Sequence, residues 1–422
     1  MKLRFFNLIA CISSLTALCL HTSDAEAIFA SVKSTGMAAT SISYPLDSMA
    51  AAYNPAGIAS VGDRFDVEIG WVHNTGHAIL KGNRAPVPAG VFVNGRYNGM
   101  ENKCVYPAAL GICKTWNLNC DWAIAGGLII YNRNYQKTTY SRVIPLFGTS
   151  KPGLEYVNQT ISPVIAVKWR DTHTIAISAN CQLERLKVNG LQRFDVITRS
   201  ESPGHVTNRG YGYSNGWGFT VGYFGQLTDR LMVGATYQPQ THMRRIQKYR
   251  GFLADNGKFD IPQKIGAGIA YRILPCVVLA FDVEHINWKP VRAFGNKFPN
   301  EERLGGKNGS GFGFKNQMFY RVGAEWQIDD CWTVRLGFRH ANTPVRRSQT
   351  AVNALSLDTV ESFLTAGTTW AFNACNEVSL VAAYGFEKTI HGKGSIPAAF
   401  GGGEADIHEQ KFAIALAWGK KF

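Results

Sequence analysis

The chain has 422 residues, of which 45% are hydrophobic and 12% aromatic, with 43 glycines and a formal net charge of +14. This content excludes a disordered chain, and the length suffices for one sizeable folded body. No low-complexity stretch or compositional break marks a second independent domain.

The first residues, MKLRFFNLIACISSLTALCLHTSDAEA, combine a basic start, an apolar core from Phe5 to Leu20 and small residues at Ala25 and Ala27. They read as a secretory signal peptide over 1–27. The apolar core falls short of the roughly 20 residues that cross a bilayer as a helix. Leu8-Ile9-Ala10-Cys11 looks like a lipoprotein cleavage box, but too few apolar residues precede the thiol. No later run of 18 apolar residues occurs, so no transmembrane helix is expected. Nucleic acid is a poor partner for a chain behind such a signal, and the positive charge is assigned instead to outer loops facing anionic lipid headgroups.

Residues 28–64 are small and polar, too short for a domain of their own. They hold Asn54-Pro55-Ala56-Gly57, a turn in which proline fixes φ, asparagine bonds backbone two residues on, and glycine relieves the next corner.

From residue 65 onward one pattern repeats: an aromatic residue, a few turn-forming residues, then a new alternating run. It occurs at Trp116, Trp169, Phe224, Tyr271, Trp326 and Trp370, giving six short turns. Strands are expected near 65–73, 104–116, 122–137, 158–169, 174–188, 216–226, 230–250, 259–272, 277–288, 316–327, 332–342, 358–371, 377–390 and 406–422. In FDIPQKIGAGIAYR, Phe259, Ile261, Ile265, Ile269 and Tyr271 share one face, while Asp260, Lys264, Gly266, Gly268 and Arg272 share the other. Short turns on one side, long polar loops on the other and an aromatic ring near the turns predict an all-β fold, a 14-stranded antiparallel transmembrane β-barrel over 65–422 with both termini in the periplasm. A soluble sandwich would also alternate, but it has no need of aromatics at nearly every strand end.

The segment SVKSTGMAATSISYPLDSMAAAYNPAGIAS, with SNGWGFTVGYFGQLTDRLMVGATYQ, KYRGFLADNGKFDIP and YRVGAEWQIDDCWTVRLGFRHANTPV, resembles the FadL family of outer-membrane transporters of long-chain fatty acids and other hydrophobic compounds. The resemblance covers essentially the whole mature chain. It implies an N-terminal hatch over 28–64 plugging the barrel, ligand capture by outer loops, and release through a lateral opening where a strand kinks. Gly126 and Gly127 stand in that strand, and glycine inside a strand marks a bend or bulge. An anionic ligand would need a cation, and Lys264, Arg272, Arg335 and Arg339 fall on the non-lipid face as possible carboxylate partners.

Enzymatic and cofactor patterns are thin, and no cofactor or metal is expected. Gly309-Ser310-Gly311-Phe312-Gly313 neither follows a buried parallel strand nor opens a helix. Cys104, Cys113 and Cys120 lack a second close pair or histidines at zinc spacing. A barrel phospholipase or protease would need Ser or Asp and His on neighbouring strands, which nothing here favours. Structural or adhesive display, and a polar-solute porin, remain as alternatives to hydrophobic transport. Phe422 ends an alternating last strand, as expected of the signal read by the barrel-assembly machinery, and the barrel is expected to be a monomer. Seven cysteines remain after Cys11 and Cys19, an odd number. Four of them, Cys120, Cys276, Cys331 and Cys375, sit in equivalent short turns on one periplasmic rim and raise the prospect of disulfide cross-links to envelope proteins.

Overall fold

Fourteen strands close on themselves in the computed structural model, which describes residues 30–84, 93–99 and 108–422. The expected signal peptide (1–27) and Cys104 lie outside the described residues. In chain order the strands are β1 (Arg64–Lys81), β2 (Gly95–Asn98), β3 (Ala108–Asn117), β4 (Trp122–Thr139), β5 (Gly153–Trp169), β6 (His173–Asn189), β7 (Gly212–Gln226), β8 (Leu231–Gln238), β9 (Gln263–Leu274), β10 (Val277–Asn287), β11 (Gln317–Gln327), β12 (Trp332–Ala341), β13 (Ser362–Asn373), β14 (Asn376–Ile390) and β15 (Glu404–Lys421). From β3 to β15 each pairs antiparallel with the next, β3 also pairs with β1, and β15 returns to β1 from Arg64↔Lys421 to Lys81↔Glu404. The short β2 pairs only with the outer end of β1, so fourteen strands span. Closure joins the first strand to the last, which is how a sheet satisfies its backbone inside lipid.

Alternation decides which residues meet lipid. Ile265, Ile269 and Tyr271 of β9 are exposed, as are Leu416 and Trp418 of β15, while Ala413, Ala415 and Ala417 point inward. Trp116, Trp122, Trp169, Tyr271, Trp326, Trp332 and Trp370 form the outward ring beside the short turns. Phe224 is a correction: it is only 5% exposed and faces inward, because the period of two puts Tyr223 on the outer face. Tyr223 instead stacks on His173, with 2.9 Å between its hydroxyl and Nδ1.

Several strand ends also differ from expectation, β1 running on to Lys81 and β5 beginning at Gly153, and proline accounts for two of them. β8 stops at Gln238 before Pro239, and β9 begins at Gln263 after Pro262, since proline has no N–H for the ladder. Phe259 and Ile261 are therefore buried among the loops rather than facing lipid.

The outer loops carry their own apolar core, which includes Leu146, Phe194, Phe252, Leu304, Phe312 and Phe400. Phe194 packs edge-on against Phe298 (5.7 Å between ring centres) and tilted against Phe400 (5.3 Å). On the opposite side, residues 30–63 lie inside the barrel as a helix, α1 (Val32–Gly36), and two 3-10 turns (Ser48–Ala52 and Pro55–Ala59). Segments this short do not hold themselves together, so their position depends on the barrel wall.

Candidate functional site: a lumenal cavity between the loop cap and the N-terminal segment

The wall holds the N-terminal segment mainly through carboxylates on its inner face. Glu68 accepts from the Val32 N–H, which caps the start of α1, with both oxygens at 3.0 Å. Asp282 accepts from the Ile42 N–H at 2.9 Å, and Asp66 from the Ser48 N–H and hydroxyl at 3.0 and 2.6 Å. Tyr44 donates to Glu325 at 2.7 Å. Lys33 is paired with Glu377, which also accepts from Arg64. Burial, reinforced by Arg64 alongside, pushes the Lys33 ammonium below the usual lysine range, with Glu377 opposing. Each bond satisfies a buried group that would otherwise cost about 1–3 kcal/mol.

The Asn54-Pro55-Ala56-Gly57 turn is one of these seats. Asn54 caps the second 3-10 turn, its Oδ1 accepting from the Ala56 N–H at 3.1 Å and its Nδ2 donating to the carbonyls of Ile42 (2.7 Å) and Tyr223 (2.8 Å). The turn fits against β7 because Gly222 has no side chain: a Cβ there would overlap Asn54 Oδ1 and meet Pro55. Gly234 does the same for the Ile42 carbonyl. Gly127 likewise faces inward, beside Ile58.

Above this floor is a cavity of about 230 Å³. Ala30, Ala52 and Tyr53 contribute to it from below, and Trp288, Phe294, Phe319 and Phe363 supply aromatic walls. Five basic side chains (Arg133, Lys264, Arg321, Arg339 and Lys411) and three acids (Asp260, Glu284 and Asp358) also line it. Glu284 is shared by Lys264 at 3.2 Å and Arg321 at 3.4 Å. Arg339 lies over Phe363 and Arg321 over Phe319, 4.2 and 5.1 Å from the ring centres. Arg321 is 5% exposed, and among the described residues its Nε and Nη1 have no hydrogen-bond partner; nor does either amide atom of the 1% exposed Asn158. A second cavity of about 40 Å³ lies in the loop cap, lined by Phe147, Leu191, Phe194, Phe298, Leu355 and Phe400.

Of the four cations singled out from the sequence, Lys264 and Arg339 reach the lumenal cavity. Arg335 is engaged lower down by Glu325 at 2.6 Å and Thr369 at 2.7 Å, and Arg272 donates to the Pro275 carbonyl at the periplasmic end. Sequence reading missed Arg321, although alternation with the outward Tyr320 and Val322 signals its inward face. It also missed Arg133, whose place depends on an irregularity.

That irregularity is where β4 departs from a regular ladder. Gly126 and Gly127 pair in register with Lys114 and Cys113 of β3 and with Ile165 and Val164 of β5. The shift falls instead at Asn132–Asn134, leaving Arg133 as the extra residue, donating to Gln238 at 2.6 Å. Between Ile130 and Thr139, whose N–H donates to the Gly99 carbonyl at 3.0 Å, β4 has no ladder partner on the β3 side among the described residues, and β1 has none on that side over Gly70–Thr75. Residues 100–107, which join β2 to β3, lie outside the described residues.

Comparison with curated protein sequences gives no match. Among solved structures, the chain is similar to a Pseudomonas aeruginosa FadL homologue (15% identity, TM-score 0.68, covering 93% of this chain and 98% of the other). It is similar also to the P. putida toluene transporter TodX (14%, 0.64, 92% and 97%) and the Ralstonia pickettii toluene transporter TbuX (16%, 0.58, 92% and 97%). At such identities these likenesses show the fold. The family model described as outer membrane protein transport protein (OMPP1/FadL/TodX) matches residues 28–418. With that match over nearly its whole length, this fourteen-stranded outer-membrane barrel belongs to the OMPP1/FadL/TodX family of transport proteins.

Proposed function

We propose that the protein carries hydrophobic compounds passively across the outer membrane, and that its preferred cargo is a long-chain fatty acid or a similar amphiphile with an anionic head. The observation that carries this reading is the lumenal cavity itself: aromatic walls beside Arg321, Arg339 and Lys264, with buried donors of Arg321 left unpaired. Unpaired buried donors are costly, and a guanidinium matches a carboxylate fork. A purely apolar cargo such as toluene, the substrate named for two of the structural relatives, would leave those donors unmet.

In this reading the ligand first enters the apolar core of the loop cap, then passes to the cavity with its head towards Arg321. The N-terminal segment acts as a hatch that closes the direct way to the periplasm. Release is lateral, between β1 and β4. Support for that exit comes from Tyr131, Arg133 and Asn134, which line the cavity at the point where the β4 ladder shifts. Binding of a long-chain fatty acid and of toluene to the purified protein tests the cargo. Fatty acid binding at least tenfold tighter than that of toluene is expected, and equal or reversed affinities would refute the anionic-head assignment.

A further inference from the structure

Four of the six periplasmic turns carry a cysteine: Cys120 between β3 and β4, Cys276 between β9 and β10, Cys331 between β11 and β12, and Cys375 between β13 and β14. All four are exposed and unbridged. The other described cysteines are less accessible, Cys113 being buried and Cys181 half-buried.

The last three are also held in place by backbone. The Cys276 carbonyl accepts from the Gln327 N–H at 2.9 Å, that of Cys331 from Ala371 at 2.8 Å, and that of Cys375 from Lys421 at 2.7 Å, so each is tied to the hairpin or strand that follows it around the barrel. The Cys331 and Cys375 N–H groups are fixed in turn by Asp329 at 2.8 Å and Asn373 at 3.0 Å. Successive turns are two strands apart, about 10 Å at a spacing of about 4.8 Å. A disulfide needs Cα atoms roughly 4.4–6.8 Å apart. Bridging neighbouring turns within the chain would therefore break the bonds that tie one hairpin to the next.

We infer that this rim is a covalent docking ring for a periplasmic protein that bears exposed cysteine. A second copy of the same barrel is the poorer fit. The outward tryptophans Trp122, Trp332 and Trp370 stand beside these turns in the membrane plane, so a side-by-side neighbour meets tryptophan before it meets a thiol, whereas a partner below the membrane meets the turn tips directly. Each link forms one S–S bond from two thiols. The two electrons and two protons pass to a periplasmic protein disulfide of the thiol-oxidising class, which is reduced to a dithiol. The placement rests on the outer-membrane orientation and not on the cargo.

The test uses intact cells treated with an alkylating agent before lysis, followed by gels of the envelope with and without reductant and mass spectrometry of the linked peptides. The expected result is a high-mass species that collapses on reduction and whose linked peptides join Cys120, Cys276, Cys331 or Cys375 to a different, periplasmic polypeptide. Replacing all four by serine should abolish it, and restoring Cys331 alone should return a link to the same polypeptide. Heat-modifiable migration and uptake, both expected to be unchanged, show whether the serine variant has folded; if it has not, the four single Cys→Ser variants are compared, each losing its own linked peptide. A monomer band under both conditions, linked peptides joining only copies of this chain, or links that survive loss of their rim cysteines would overturn the inference.

Discussion

The Asn54 amide donates to the Tyr223 carbonyl at 2.8 Å, bonding the N-terminal segment to the inner face of β7. The same nitrogen reaches the Ile42 carbonyl, so one side chain ties two stretches of the segment and one strand together. Asn54→Ala leaves both carbonyls short of a buried donor, at a cost of about 1–3 kcal/mol. Barrel closure does not use this amide. The expected outcome is normal heat-modifiable migration with uptake altered at least severalfold. Unaltered uptake would reduce the motif to a turn.

Gly222 offers the same test from the wall. In Gly222→Val the new side chain must displace Asn54 and Pro55 while the β7 ladder to β6 and β8 keeps its bonds. Limited proteolysis should then cut residues 30–63 faster than in the wild type, with the barrel core still resistant. Equal rates would mean that the segment is held without this seat.

Much of the fold was legible because a period of two, read against aromatic-plus-turn punctuation, is a local property of the sequence. All fourteen spanning strands fall where alternation puts them, and misplaced ends such as those at Gln238 and Gln263 trace to Pro239 and Pro262. The site was less legible because it depends on register between distant strands. Arg335 and Arg339 share a face of β12, yet only Arg339 reaches the cavity, since the N-terminal segment fills the lumen at the level of Arg335. Arg133 lines the cavity because of a bulge that no local pattern announces, and the inward turn of Phe224 depends on a one-residue offset.

Arg321 separates anionic from neutral cargo. Replacing it with leucine removes a charge-assisted partner of the kind that contributes about 1.5–3 kcal/mol, or roughly ten- to a hundredfold in affinity. Fatty acid binding should weaken by about that factor and toluene binding by less than threefold. A parallel loss for both ligands would point to a packing role for Arg321.

Phe422, beyond β15, is an exposed aromatic whose N–H donates to the Asp63 carbonyl at 3.0 Å, tying this strand end to the residue before β1. Deleting it should lower the amount of assembled, heat-modifiable barrel in the outer membrane severalfold. Full assembly of the deleted form would show that the last aromatic is dispensable.

Transport of hydrophobic cargo is tested most directly by uptake of a labelled long-chain fatty acid into cells that lack their own outer-membrane transporter and express this chain, with conductance of the purified protein measured in parallel. Uptake well above the empty-vector level is expected, reduced about tenfold or more by Arg321→Leu, with little conductance for ions or sugars. Uptake at the background level together with open conductance for sugars or ions would contradict it and identify a polar-solute pore.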